Sequence, residues 1–92
     1  MMDTEHVVSR AHESFRRLQL LAQWIYVGMP RHQVELILPR SRGGIRNQFT
    51  TVYHEMPGVK IEVTYDCAGA PTSAYDRVMA PPRIFLMLGE HV

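Results

Sequence analysis

Residues 59–66 read VKIEVTYD, in which Val59, Ile61, Val63 and Tyr65 alternate without a break against Lys60, Glu62, Thr64 and Asp66. Successive side chains of extended backbone point to opposite sides, so a period of two marks a strand with one face buried and the other wet. Such a strand needs a paired neighbour and a cover for its apolar face. The neighbour is NQFTTVYH, a run rich in Thr, Val and aromatic residues. Met56, Pro57 and Gly58 join the two, with Pro and Gly where a type II turn wants them. An antiparallel hairpin is expected, with strands over about 47–54 and 59–66. Asp66, Cys67, Ala68 and Gly69 signal a further turn, followed by a weaker strand over 71–78 whose Pro71 suits a strand start or edge. Pro81 and Pro82 punctuate, and RIFLML forms a last strand over 83–88.

The cover is predicted upstream. Val8, Ala11, Phe15, Leu18, Ala22 and Ile25 step by three and four, which lays all six on one stripe of a helix, and Leu21 widens the stripe. Asp3 or Thr4 can cap this helix, and Glu13 with Arg17 has the i,i+4 spacing of an exposed face. The pattern predicts a helix over 4–26 that Gly28 ends in a left-handed conformation. Pro30, whose fixed φ and missing N–H suit a helix start, opens a second helix over 30–38. Met29 can pack on Val34 as a staple, while Val34, Ile37 and Leu38 face inward. Pro39 stops the helix, and Gly43 and Gly44 are read as loop. The order predicts a single α+β domain over 1–92, with two N-terminal helices packed on one face of a three- or four-stranded antiparallel meander sheet.

The stretch VGMPRHQVELIL, the aromatic strand TTVYHE and VKIEVTYDCAGAPTS together resemble the SmpA/OmlA (BamE) type of assembly lipoprotein domain. They also resemble the wider group with the β-lactamase-inhibitor-protein-like fold. The resemblance covers roughly residues 25–75. It implies a protein-binding or inhibitory module without cofactor and without catalysis. The lipoprotein members carry a signal peptide ending in a lipidated Cys; no such signal is found here, so envelope location is not implied.

Ten Lys and Arg against nine Asp and Glu leave a net charge of +1, too balanced to call for a nucleic-acid or membrane partner. The single Cys67 excludes an intrachain disulfide framework and fits a reducing compartment, and a cytoplasmic location is expected. Cys67, Asp66 and His54 supply residue types for a nucleophile set, yet Asp66 and Cys67 are the start of a turn, and no catalytic residue is assigned. His6, His12, His32, His54 and His91 lack metal-ligand spacing, so neither a metal nor a cofactor is expected. Arg40, Arg42 and Arg46, in a glycine-containing loop, form an alternative anion or nucleic-acid site, with Arg31 close to a helix N-terminus. Trp24 is read as an anchor between helix and sheet.

The last strand differs from residues 59–66. Ile84, Leu86 and Leu88 fall on one side and Phe85 and Met87 on the other, so both faces are apolar. Phe85 and Met87 are therefore expected to meet a second copy of the chain. The leading functional expectation is a non-catalytic protein–protein interaction module that self-associates or joins a larger assembly. A chain of this length buries only roughly two thirds of the surface it exposes unfolded, so a partner subunit would add to a thin stability margin.

Overall fold

The computed structural model describes residues 4–38, 42–45, 49–66 and 73–87. Two helices, α1 (Thr4–Ala22) and α2 (Arg31–Ile37), precede five antiparallel strands. These are β1 (Arg42–Ile45), β2 (Thr50–Met56), β3 (Val59–Asp66), β4 (Arg77–Val78) and β5 (Arg83–Leu86), and the chain is α+β.

The hairpin forms around β3. Thr51 opposes Val63 and Tyr53 opposes Ile61, which sets the inward rows of β2 and β3 side by side. A register shift between His54 and Met56 bends the ladder just before the turn. The turn is closed by Pro57 and by Gly58 at φ +87°, the positive value that the second central residue of a type II turn requires.

The far edge of β3 differs from a simple meander. β4 pairs with Tyr65 and Asp66, β5 pairs with residues 59–62, and Met79 N–H reaches Thr64 O at 2.8 Å. The expected third and fourth strands are thus one line of chain along a single edge, interrupted at Pro81 and Pro82, which lack the N–H a ladder needs. Among the described residues of the expected 71–78 strand, only 77–78 lie in a strand. The expected stretches 47–48, 71–72 and 88 lie outside the described residues.

β1 was not expected. Gly43 and Gly44, read as loop, lie in a strand in which Arg42 opposes Tyr53 and Gly44 opposes Val52, so Gly43 is the extra residue of a bulge. Glycine inside a strand commonly marks such a bulge, and hydrophobic alternation cannot reveal a strand without side chains to alternate.

α1 carries the expected stripe, with Ala11, Leu18 and the following Ile25 buried and Phe15, Leu21 and Ala22 partly so. It lies against β2, β3 and β5. It stops at Ala22, not near residue 26, and tighter i→i−3 bonds follow: Gln23 N–H to Leu20 O, Trp24 N–H to Leu21 O, and Ile25 N–H to Ala22 O. Gly28 has the expected positive φ of +96°, but in a turn closed by Met29 N–H to Tyr26 O at 3.0 Å, beyond the helix it was assigned to end. From there the chain runs beside β4. Gly28 N–H bonds Val78 O at 2.7 Å, Val78 N–H bonds Met29 O at 2.9 Å, and Pro30 bridges to Arg77.

The core joins these helix residues to Met29, Val34, Leu38, Tyr53, Val59, Ile61, Val63, Tyr65 and Val78, with Ile84 and Leu86 packed at its margin. On the opposite sheet face, Glu62 is buried, contrary to a uniformly wet row. It sits on the central strand between Val52 and Arg83, with its carboxylate 3.6 Å from Lys60 Nζ.

Candidate functional site

Two features stand apart from ordinary packing: a buried polar cluster under α2 and an apolar groove beside it. The cluster starts at Arg31. Extended backbone at Pro30 feeds Arg31 into the first turn of α2, where N–H groups have no carbonyl of their own helix to meet. Arg31 N–H bonds Asp76 O at 2.6 Å and His32 N–H bonds Ala74 O at 3.0 Å, so the turn before β4 caps the helix from outside.

The Arg31 side chain points into the core, on the face shared by Val34 and Leu38, and is only 3% exposed. Its guanidinium lies 3.8 Å from the centre of the Tyr65 ring, a cation–π contact that burial of both side chains strengthens. Nη1 donates to Thr51 Oγ1 at 2.9 Å and lies 3.5 Å from Glu35 Oε2. Nε lies 3.4 Å from Asp76 Oδ2, close enough for attraction between charges but not aligned as a hydrogen bond. Asp76 Oδ2 is held in turn by Ser73 N–H at 2.9 Å.

A chain of hydroxyls completes the cluster. Tyr53 donates to Glu35 Oε2 at 2.7 Å, which uses its one proton, so the 2.9 Å bond between the two tyrosines has Tyr65 donating to Tyr53. Burial pushes the ionisation of Tyr53 far upward, and its bonds and charge repulsion with Tyr65 and Glu35 add to this. Burial likewise pushes Tyr65 up, to about 12, against the opposing influence of the Arg31 charge. Neither hydroxyl is a base at neutral pH. Arg31, weighed from the sequence as part of an anion patch, is instead enclosed by its own chain. The spacing of Arg31, Val34 and Leu38 put the Arg on the apolar face of α2, and the inward parity of Thr51, Tyr53 and Tyr65 marked its partners; these signals were legible but unused.

The groove is lined by Leu21, Trp24, Tyr26, Met29, Leu36 and Ile37 and has a volume of about 590 Å³. Trp24 is 72% exposed, Leu36 84% and Tyr26 57%. The early end of α1 is the reason: the tight turn sends Ile25 inward and leaves Trp24 and Tyr26 facing out. Trp24 is therefore not the anchor between helix and sheet that the sequence suggested.

The remaining candidates are dispersed. His54 opposes Lys60 and Asp66 opposes Arg77, six residues apart along β3 or about 20 Å at the rise of a strand, so these two are not brought together. Cys67, Arg40 and Arg46 lie outside the described residues, and Arg42 falls in β1. Phe85 is half-buried on the outer face of β5, between Lys60 Nζ at 5.3 Å and Arg83 Cζ at 5.4 Å from its ring centre, and Met87 is 53% exposed. Among the described residues no three His, Cys, Asp or Glu side chains group as metal ligands, and no helix is long and apolar enough to cross a membrane. Compared with known proteins, the chain matches no family model, no curated protein and no solved structure.

Proposed function

We propose that this chain is a non-catalytic protein-interaction module. Two helices packed on one face of the sheet present a groove that seats bulky apolar side chains of a partner protein. The observation that carries the reading is the exposure of Trp24, Tyr26 and Leu36 around one concave apolar surface. Water contact at such a surface is unfavourable, and large exposed apolar patches mark interaction sites. Trp and Tyr are also the residues that most often dominate binding energy. The buried cluster supports the same reading, because the groups with chemical potential, Arg31, Glu35, Tyr53 and Asp76, are engaged with one another. The role agrees with the protein-binding function that the BamE-type resemblance implies.

The test is selection of peptides from a displayed random library on the immobilised chain, with the Leu36→Asp chain as counter-screen. Leu36 is exposed, so its replacement should leave the fold intact. The expected outcome is enrichment of peptides with a bulky apolar anchor that shift the fluorescence of Trp24 to the blue and fail to bind Leu36→Asp. An absence of enrichment, or peptides that bind both chains equally, overturns the reading.

A further inference from the structure

The two halves of the line formed by β4 and β5 end differently. The outer edge of β4 is covered by residues 28–30, whereas among the described residues nothing pairs with the outer edge of β5. The direction of its backbone groups follows from one bond. Met87 N–H reaches Gly58 O at 2.7 Å, so Gly58 and Met87 are a hydrogen-bonded pair of the antiparallel ladder. Such pairs alternate, so Phe85 and Arg83 also direct their N–H and C=O toward β3, while those of Ile84 and Leu86 point away from the sheet.

We propose that β5 pairs with β5 of a second copy, antiparallel about a two-fold axis centred on Phe85; this rests on the reading of the chain as an interaction module. The register follows from self-complementarity. With Phe85 opposite its mate, Ile84 faces the second copy's Leu86, and every outward N–H and C=O of these two residues finds a partner. A register centred on Ile84 instead sets Leu86 opposite Pro82, which has no N–H to give.

The side chains fit the same register. On the outer face the row is Arg83, Phe85, Met87, and reversal about Phe85 puts Arg83 against the mate's Met87, not against the mate's Arg83. Like charges are thereby kept apart, and the long Arg stem can cover the exposed Met. The two Phe85 rings meet at a non-hydrogen-bonded position, where facing side chains are closest. On the inner face Ile84 and Leu86 continue the apolar row across the seam.

The test is site-directed cross-linking of the full chain in a Cys67→Ser background, together with sedimentation of the parent across a concentration series. Facing Cα atoms at a non-hydrogen-bonded position are about 4.5 Å apart, inside the span of a disulfide, whereas two copies of residue 87 are about 14 Å apart in this register. The expected result is a parent dimer, with a covalent dimer under mild oxidation from Phe85→Cys and not from Met87→Cys. A parent that stays monomeric at high micromolar concentration overturns the proposal, as does Met87→Cys cross-linking as readily as Phe85→Cys. A dimer in which Phe85→Cys never cross-links overturns it as well. Selection of groove-binding peptides is read on a separate surface, so failure of the groove reading and failure of the β5 pairing are told apart.

Discussion

Gly28 and Gly58 both hold positive φ, yet they are not equally replaceable. A Cβ on Gly28 would meet nothing within 4 Å, so Gly28→Ala pays only for the left-handed backbone, about 1 kcal/mol. A Cβ on Gly58 would stand 2.6 Å from the carbonyl oxygen of Met87, which is fixed by the ladder to β5, so Gly58→Ala should cost about 2 kcal/mol or more. Urea midpoints of the two variants check the order, and a Gly58→Ala chain as stable as Gly28→Ala contradicts it. Ser14 is the opposite case. It is 3% exposed on the apolar stripe of α1, and its hydroxyl has no hydrogen-bond partner among the described residues. Ser14→Ala removes a desolvated group and adds a better helix former, so it should raise stability by about 1 kcal/mol. A fall in the thermal midpoint would show that the hydroxyl is in fact used.

At the scale of elements, α2 has seven residues and too few internal bonds to persist alone, so its stability is borrowed from the turn before β4. Asp76 makes that loan twice, through its carbonyl to Arg31 N–H and through its carboxylate near Arg31 Nε. Asp76→Ala removes one charge of a pair whose two side chains are each about 5% exposed or less, which should cost about 3 kcal/mol. The amides of Arg31 and His32 should then exchange with solvent faster than those of β3; uniform acceleration across the chain would argue against a local latch. These elements were unequally legible. β3 and the stripe of α1 could be read because burial follows a strict period there. The end of α1 could not, because Ile25 keeps the stripe in phase after the helical bonds have tightened and stopped. β1 escaped because Gly43 and Gly44 carry no pattern, and the groove escaped with the helix end that creates it.

Over the whole molecule, the tyrosine pair ties stability to pH. Tyr65 ionises near 12 in the folded chain against about 10 when unfolded, and Tyr53 is shifted in the same direction. The folded state therefore holds these protons more tightly. The benefit is complete below about pH 10 and is lost as pH rises through 12. The chain should unfold in alkali with tyrosinate absorbance appearing in step with loss of circular dichroism, and Tyr53→Phe with Tyr65→Phe should flatten that dependence. Ionisation of both hydroxyls in a chain that stays folded would refute it. The cluster shows the limit of reading a site from sequence: the residue types and their faces were visible, but which faces meet is decided by the path from Gly28 along β4, a contact between residues about fifty apart. That path and the position of α1 against β3 and β5 also impose an order on synthesis. β5 is made long after α1, so the part of the apolar stripe that lies on β5 stays uncovered until that strand has left the ribosome. A nascent chain of this kind depends on brief exposure, or on a chaperone, until β5 emerges.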